Sequence, residues 1–392
     1  MKGLWGKKRK WGWVLTATVF ILALSGCGNG EVDAYATLPT AEENQRESEI
    51  AETAETARPV IEINQEEESQ EGEPDYYRPE ERVEQDGKIR SYLTGELVDA
   101  EIGNRRPLAV MMSNDKQALP QFGINRAGVV YEAPVEGTMN RYMALIEDFD
   151  DLERIGSVRS ARTYYIYFAR EFEAIFAHYG QSTFARPYLE HVAGINGIEG
   201  AGGPAFYRSS DRKAPHNAYT SGDGVKKAAE SLGYTWEYPE DYQGHYRFAK
   251  GPVTLEERPG VMDAVTVDPG YKLNEARFVY NEADGLYHRY QYGDVHMGDE
   301  GPITAKNILV QWCAWGHYAT TEYLNIDVHT GSGGYYITNG KAIPITWEKD
   351  GEFGVTHYYD ANHEEITLNP GKTWVCIIAT KDAGQAVKIE GS

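Results

Sequence analysis

The pattern of apolar and polar positions changes character along the chain and divides it into four stretches. An apolar run from Trp11 to Leu24 comes first, and a long polar stretch with few apolar clusters follows it. From residue 96 to 250, strand-like apolar runs alternate with segments of helical period. From residue 251 to 392, the helical period disappears and short alternating runs remain. The pattern therefore predicts a mixed α/β domain, residues 96–250, followed by a mainly antiparallel β domain, residues 251–392.

The α/β stretch has a definite order of predicted elements. Strands are predicted at "RPLAVMMSND", "AGVVYEAPVEG" and "NRYMALIED", the last two as a neighbouring pair. A helix is predicted from a cap at Ser157 or Ser160 to about Arg170, and the strand "EAIFAHYG" follows it. Further helices are expected at "YLEHVAG" and at "GVKKAAESLG", the latter capped by Ser221 or Asp223.

The last stretch consists of strand and turn signals. Asp284-Gly285 separates two alternating runs in "ARFVYNEADGLYHRYQYG", which predicts a hairpin. Short strands are also predicted at "NILVQWCAW", "GGYYITNGKAIPITWEKDG" and "KTWVCIIA". Two of these strands carry Cys313 and Cys376. A disulfide between them and a pair of buried thiols are both compatible with the sequence.

The first residues have the layout of a bacterial lipoprotein signal peptide. Lys2 and the basic cluster at 7–10 precede an apolar run of 14 residues, which is too short for an ordinary membrane span. The run ends in "LSGC", which is similar to a lipobox, and in that pattern Cys27 receives the lipid. We therefore predict a signal peptide, residues 1–27, with acylated Cys27 held in the lipid bilayer at the extracytoplasmic face of the cell membrane. The alternative is an uncleaved anchor helix with a chance cysteine.

Residues 28–95 are predicted to be an acidic, disordered tether. Between residues 28 and 87 there are 19 Asp and Glu against four Arg and no Lys. Such a segment buries too little apolar surface to offset its loss of conformational entropy on ordering. An acidic interaction tail is the alternative. The whole chain has a net charge of −22, so we expect no nucleic-acid partner.

Two polar segments of the α/β stretch carry the candidate ligand-binding residues. In "IGSVRSAR", Arg159 and Arg162 stand three residues apart where the helical pattern begins, and cations there oppose the helix macrodipole. An anion held by both guanidinium groups would compensate. The alternative is a structural pairing of these arginines with Glu132, Glu136 or Glu171.

The remaining candidates lie in polar loops that follow predicted strands, where open α/β sheets place ligands. They are His178, Ser182, Arg208, Arg212, His216 and Asn217. Guanidinium, imidazole, hydroxyl and amide groups together suit a phosphate, a carboxylate or a polyhydroxyl ligand.

Known catalytic and metal motifs are not found in the sequence. "YGQSTF" lacks the second glycine of a nucleophile elbow, and Ser210 and Lys213 lie in a segment with loop composition. Pro134 stands between Glu132 and Glu136, which disfavours their use as a glycosidase carboxylate pair. There is no H-E-x-x-H, C-x-x-C or EF-hand pattern. We therefore predict no metal and no cofactor, and we assign no catalytic residue.

Several of these segments together resemble the YerB-like bacterial lipoproteins. In the first half the resemblance rests on the lipobox, the acidic tether and "RPLAVMMSND", "VVYEAPVEGTMNRYMALIED", "IGSVRSAR", "FAHYGQS" and "KAPHNAYTS". In the second half it rests on "GGYYITNGKAIPITWEKDG" and "DANHEEITLNPGKTWVCII". It covers roughly residues 100–385. The resemblance implies an N-terminal and a C-terminal half of unknown function, and it implies no activity.

The sequence favours a non-catalytic envelope lipoprotein that binds a cell-wall polymer or regulates an envelope protein partner. An enzyme acting on an anionic envelope glycan or peptide is the first alternative, with His178 or His216 as acid or base. A solute-binding lipoprotein is the second alternative, although hinge-closing receptors usually have two similar lobes and the sequence contains one α/β unit.

Overall fold

The computed structural model describes residues 75–379, 381 and 383–391. The predicted signal peptide, Cys27 and most of the predicted tether lie outside these residues. Within the described part of the chain, no helix combines the length and the apolar character needed to cross a membrane.

The first half of the described chain holds ten strands and three α-helices. The strands are β1 (Lys88–Arg90), β2 (Leu97–Asp99), β3 (Leu108–Ser113), β4 (Val129–Pro134), β5 (Asn140–Ile146), β6 (Ile155–Gly156), β7 (Ile175–His178), β8 (Ala193–Asn196), β9 (Tyr207–Arg208) and β10 (Ala218–Thr220). The helices are α1 (Ala100–Gly103), α2 (Thr163–Glu171) and α3 (Gly222–Leu232).

The second half is built almost entirely of strands. They are β11 (Met262–Asp263), β12 (Thr266–Asp268), β13 (Arg277–Asn281), β14 (Leu286–Gln291), β15 (Asp294–Val295), β16 (Met297–Gly298), β17 (Gly301–Pro302), β18 (Thr304–Ala305), β19 (Asn307–Trp312), β20 (Trp315–His317), β21 (Leu324–Ile326), β22 (Ser332–Thr338), β23 (Lys341–Lys349), β24 (Thr356–Tyr359), β25 (Thr373–Ile378) and β26 (Lys388–Glu390). One short helix, α4 (Ala383–Ala386), precedes the last strand.

One mixed sheet runs through both halves of the chain. Its strand order is β11-β23-β22-β19-β25-β4-β5-β3-β7-β8, with β24 beside β23. Strands β4 and β5 are antiparallel neighbours, as predicted, and β3 lies parallel to β7. Strand β25 of the second half lies parallel to β4 of the first half, with Val375 opposite Tyr131. The predicted α/β and β characters are confirmed, and the two halves meet in the middle of a shared sheet.

Both faces of this sheet are buried. On one face, Val110 of β3 belongs to the same core cluster as Phe278 of β13 and Val225 of α3. Strand β13 belongs to a second sheet of order β15-β14-β13-β12-β26, in which β13 and β14 form the hairpin predicted at Asp284-Gly285. On the other face, Met111 of β3 packs with the aromatic side chains of α2. This alternation along β3 is the period-two pattern of a strand buried on both sides.

Helix α2 begins later than either predicted cap. The chain before it is extended and pairs with neighbouring segments. The Arg159 amide donates to the Met111 carbonyl at 2.9 Å, and the Ala161 amide donates to the Gly180 carbonyl at 2.9 Å. The prediction of a cap at Ser157 or Ser160 was wrong because pairing with neighbouring strands satisfies these backbone groups instead.

The other two predicted helices of this half had different outcomes. Helix α3 is confirmed, and its cap is Ser221, whose hydroxyl accepts from the Gly224 amide at 3.1 Å. The helix expected at "YLEHVAG" is absent from that described segment. A 3-10 turn, Arg186–His191, and strand β8 occupy it, and β8 pairs in parallel with β7.

Residues 75–95, which the sequence analysis placed in the tether, contain ordered structure in their described positions. Strand β1 pairs with β2, and Leu93 is fully buried in the core cluster that contains Met111. Ile89 is buried as well. These apolar residues supply burial that the acidic composition of the segment does not predict.

Cys313 and Cys376 are buried free thiols. Cys376 lies in β25 and belongs to the core cluster on one face of the shared sheet, whereas Cys313 follows β19 and belongs to the cluster on the other face. A disulfide cannot form across the sheet, so the structure contains the buried-thiol alternative. Burial raises the pKa of both thiols, which keeps them protonated and unreactive.

Candidate anion-binding site

The candidate site lies where the segment 157–162 crosses the C-terminal ends of β3 and β7. Backbone hydrogen bonds fix this segment on both sides. The Tyr179 amide donates to the Arg159 carbonyl at 3.0 Å, and the Val158 amide donates to the Ala218 carbonyl at 2.7 Å. The loop 209–217 then brings a third polar segment to the same place.

Arg159 is the central cation of this site. Its side chain is half-buried, and Nη1 donates to the Pro215 carbonyl at 3.1 Å. Within the described part of the chain, neither Nε nor Nη2 has a hydrogen-bond partner, and no carboxylate lies within 4.0 Å of the guanidinium group. Burial lowers the pKa of Arg159, the charges of Arg162 and Arg208 lower it as well, and the Asp115 carboxylate raises it. Asp115 makes no ion pair with Arg159 among the described residues, so it offsets the positive charge at this position only in part.

Arg208 approaches the same loop from strand β9. Its Nη1 donates to Asn217 Oδ1 at 2.7 Å, and its guanidinium carbon lies 4.9 Å from the centre of the Tyr179 ring. Asn217 in turn donates from Nδ2 to the Ser209 carbonyl at 2.9 Å, which fixes the amide orientation. Arg208 is exposed and makes no salt bridge among the described residues, so most of its donors remain available to a ligand.

His216 is buried between the arginines, the last residue of β3 and a residue that follows this strand. Its Nδ1 lies 3.4 Å from Ser113 Oγ, and its Nε2 lies 3.8 Å from Asp115 Oδ1. Both distances are longer than the roughly 2.6–3.2 Å of an assembled nucleophile, base and carboxylate. Burial lowers the pKa of His216, and Arg159 and Arg212 lower it while Asp115 raises it.

Arg162 has a structural role beside the site. Its Nε donates to Glu136 Oε1 at 2.7 Å and its Nη2 donates to Glu136 Oε2 at 2.5 Å, a bidentate pair in which the Arg162 side chain is 8% exposed. For Arg162, the alternative of a structural pairing with Glu136 is therefore the one that the structure contains. Neighbouring Arg141 donates to the Ser160 carbonyl at 2.6 Å, and burial first, then the charges of Arg162 and Arg159, lower its pKa to about 9.

The other acidic partners considered for these arginines are engaged elsewhere. Glu132 is fully buried and pairs with Arg289. Glu171 is also fully buried, and it bonds Lys349 and lies 3.3 Å from His245 Nε2.

The side chains of Arg212, His178 and Ser182 make hydrogen bonds to nearby backbone groups. Arg212 donates to three consecutive backbone carbonyls and one hydroxyl group: those of Ala118, Leu119, Pro120 and Tyr219. Ser182 Oγ accepts from the Ala185 amide at 3.1 Å. His178 is buried, its Nδ1 bonds the Gly180 carbonyl at 2.8 Å, and burial lowers its pKa to about 4. These side chains fasten turns.

The structure thus brings four of the predicted residues together, namely Arg159, Arg208, His216 and Asn217. Sequence reasoning missed Asp115, although it follows "RPLAVMMSN" at the carboxyl end of a predicted strand and could have been found by the rule that pointed to His178. Arg141 gave no such signal, because it lies inside a strand. Among the described residues, no group of three or more His, Cys, Asp or Glu is arranged to hold a metal ion.

Comparison with known proteins places the chain in a family. Residues 93–235 match the N-terminal domain, and residues 265–375 match the C-terminal domain, of the family described as "Protein of unknown function (DUF3048)". "Putative lipoprotein YerB" of Bacillus subtilis (strain 168) is 30% identical over 323 residues, which are 78% of this chain and 90% of that protein. This chain belongs to the DUF3048 family.

A solved structure of this DUF3048 relative supports the fold. The crystal structure of the YerB protein from Bacillus subtilis matches with a TM-score of 0.65 at 28% sequence identity, and the match covers 77% of this chain and 100% of that chain. The resemblance to YerB-like lipoproteins is therefore confirmed. Because the DUF3048 description names no activity, the function has to be argued from the site.

Proposed function

We propose that this DUF3048 protein is a lipid-anchored, extracytoplasmic lipoprotein whose folded part binds an anionic group of the cell envelope. The observation that carries the proposal is the convergence of Arg159 and Arg208 on one short loop, at Pro215 and Asn217. Each guanidinium group has one hydrogen-bonded nitrogen and no carboxylate partner among the described residues. The lipobox at Cys27 and the lipoprotein name of the relative support the anchor.

A phosphate or carboxylate group fits this arrangement chemically. A guanidinium group offers a planar fork of N–H donors that matches two oxygens of such an anion. Half-burial of Arg159 reduces solvent screening, so an ion pair formed there is stronger than one on an open surface. The chain as a whole is strongly acidic, and binding of an anion must therefore depend on this local cluster.

Co-sedimentation with cell-wall sacculi tests the proposal. The full chain, purified in a mild detergent, is mixed with sacculi, and the protein in the pellet is measured. We expect the wild-type protein to pellet and Arg159→Gln to remain mostly in solution. Arg277→Gln is the matched control, because it removes the same charge from an exposed position on strand β13. Equal pelleting of all three proteins would contradict the proposal.

An enzyme acting on an anionic glycan or peptide is the second candidate function. It is favoured by the arrangement of Ser113, His216 and Asp115. The His216 ring lies between the other two side chains, although both separations are longer than those of an assembled catalytic triad. Mass spectrometry of the supernatant from the same experiment distinguishes the two functions. Released wall fragments that disappear with His216→Gln would establish the enzyme, whereas pelleting without fragments is the result expected for a binding protein.

A further inference from the structure

A second cavity lies away from the candidate anion site and shares no lining residue with it. This cleft has a volume of about 380 Å³ and is formed by residues 76–95 on one side and residues 243–248 on the other, with His357 and Glu365 at its edge. Its size is within the usual range of small-ligand sites. Neither of the two segments contributes a strand to the shared sheet, so the cleft is formed apart from the elements that position the anion site.

The apolar lining of the cleft is aromatic. Its apolar rings are Tyr76, Tyr77, Tyr92, Tyr246 and Phe248, and among all the residues that line it none is Val, Leu, Ile or Met. The rings are held in place by other rings. Tyr92 meets Tyr242 edge-on at 5.0 Å, and Tyr246 stacks on His245 at 4.2 Å between ring centres. Guanidinium groups lie over one face of three rings, at 3.8 Å from Arg82 to the centre of Tyr92, 3.6 Å from Arg90 to Tyr77 and 5.0 Å from Arg247 to Tyr76. A cleft with flat aromatic and guanidinium surfaces and Pro79 as its aliphatic lining is suited to a flat ligand that has polar edges.

The polar lining includes guanidinium groups whose donors are largely engaged in hydrogen bonds. Arg82 donates from Nε to the Arg90 carbonyl and from Nη1 to Asn104 Oδ1, and Arg90 donates to the Gly95 carbonyl and the Tyr77 hydroxyl. Arg82 also bonds the Gly103 carbonyl, so all three of its nitrogens are engaged.

The remaining two arginines of the cleft have carboxylate partners. Arg247 Nη2 lies 2.5 Å from Glu365 Oε2, and Arg78 Nε lies 3.4 Å from Glu81 Oε2. The carboxylate of Glu80 lines the cleft as well. Arg82 and Arg90 have no carboxylate partner among the described residues, but five of their six nitrogen atoms are already bonded to fixed oxygens, so an anionic ligand would find few free donors and would meet the carboxylates of Glu80 and Glu365.

His245 lines the cleft and has a buried ring nitrogen without a hydrogen-bond partner among the described residues. Its Nε2 lies 2.9 Å from the Thr356 carbonyl, which can only accept, so Nε2 carries the hydrogen and Nδ1 is a bare acceptor. Nδ1 has no partner among the described residues. Burial lowers the pKa of His245 to about 4, which keeps the ring neutral. At the rim, the exposed amide of Gln243 makes a single long contact, at 3.5 Å to the Asp241 carbonyl.

We propose that this cleft is a second ligand site and that it binds an uncharged saccharide. A pyranose ring has a C–H face that gains dispersion contacts with an aromatic ring, and a rim of hydroxyl groups that both donate and accept. The cleft offers ring faces, bound guanidinium edges, carboxylates and an amide in the same small space. An aliphatic ligand would find little aliphatic surface beyond Pro79, and an anion would find few guanidinium donors that are not already bonded.

Isothermal titration of the full chain in detergent tests this site with three uncharged probes: the trimer of N-acetylglucosamine, maltotriose and cellotriose. We expect saturable binding of at least one probe at millimolar concentration. Tyr76→Ala removes one ring face and Gln243→Ala removes the rim amide, and each should weaken binding at least tenfold. Tyr207→Ala is the matched control, because Tyr207 is an exposed tyrosine outside the cleft.

The outcomes separate this site from the anion site. Arg159→Gln should bind the saccharide as the wild-type protein does, and Tyr76→Ala should still pellet with sacculi that carry anionic groups. Circular dichroism on each variant identifies loss of fold, and Gln243→Ala, an exposed polar substitution, keeps the test valid if Tyr76→Ala unfolds. If none of the three sugars binds, or if binding is insensitive to both cleft variants, the inference is wrong.

Discussion

Arg289 and Glu132 form an ion pair at 2.8 Å in which both side chains are fully buried. Glu132 lies in β4 of the first half and Arg289 lies in β14 of the second half, so the pair joins the two DUF3048 domains inside the core. The same carboxylate accepts from the amides of Asn140 and Asn274 and from the Trp374 indole. The buried carboxylate is therefore saturated with partners, whereas Nε of Arg289 is buried without a partner among the described residues.

Arg289→Met should destabilise the protein strongly, because it leaves the Glu132 carboxylate buried without its counter-charge. The expected loss in the free energy of unfolding is about 3–5 kcal/mol. Lys88→Met is the control, since Lys88 and Asp99 form an exposed pair at the surface, and it should leave stability nearly unchanged. Urea unfolding measures both. A small effect of Arg289→Met would mean that the two halves do not depend on this pair.

Arg159 and Arg162 should respond differently to the same substitution. Arg162→Gln removes the bidentate partner of Glu136 and should cost about 3 kcal/mol of stability. Arg159→Gln breaks one hydrogen bond to a carbonyl, and about 1 kcal/mol is the expected cost. Thermal unfolding of the two variants compares them directly. If Arg159→Gln is the more destabilising variant, Arg159 has a structural role instead of a binding role.

Anion binding at the site should strengthen as the pH falls. The groups that face His216 are Asp115, Arg159 and Arg212, and its pKa is below the usual value because of burial and the two arginines. A bound anion favours the protonated imidazolium, so binding takes up a proton and affinity rises at lower pH.

Titration with sulfate, which keeps its charge, at about pH 5 and about pH 8 measures this dependence. His216→Gln should flatten it while leaving binding at the higher pH similar to that of the wild-type protein. A pH dependence that persists in the variant would assign the titration to another group.

Glu147 should make the protein less stable at high pH. Its carboxyl group is buried, Oε2 accepts from Ser91 Oγ at 2.6 Å, and Oε1 has no partner among the described residues. Burial raises its pKa to about 7, so the folded protein holds a proton that the unfolded chain releases near pH 4. The stability that this proton provides is present at low pH and is lost as the pH rises through about 7, by up to about 3 kcal/mol.

Glu147→Gln should therefore raise the free energy of unfolding at about pH 8 and change it little at about pH 5. Urea unfolding at both pH values gives the comparison. A stabilisation of equal size at the two pH values would show that the charge of Glu147 is not the cause.

The elements that the sequence predicted correctly are those whose signals are local. The Ser221 cap and the Asp284-Gly285 turn depend on a few adjacent residues, and both are confirmed. The start of α2 was predicted wrongly because the extended form of residues 157–162 depends on strands that are remote in sequence. The sharing of one sheet by both halves is also non-local, since β25 pairs with β4 across the length of the chain.

The candidate site shows the same division. Arg159, Arg208, His216 and Asn217 could be selected because of their residue types and their polar loops. The sequence could not distinguish Arg159 from Arg162, because the partner that neutralises Arg162, Glu136, is set by the tertiary fold. The cleft around Tyr92 was not predicted, because one of its walls lies in a segment whose acidic composition indicates disorder.

The most direct test of the anion site is a nuclear magnetic resonance titration of arginine side-chain and histidine signals in the full chain in detergent. Glycerol phosphate and acetate are added separately, and signals are assigned with Arg159→Gln, Arg208→Gln and His216→Gln. We expect saturable shifts of the Arg159, Arg208 and His216 signals with at least one anion, and loss of these shifts in Arg159→Gln. Shifts confined to other arginines, or no saturable shift with either anion, would contradict it.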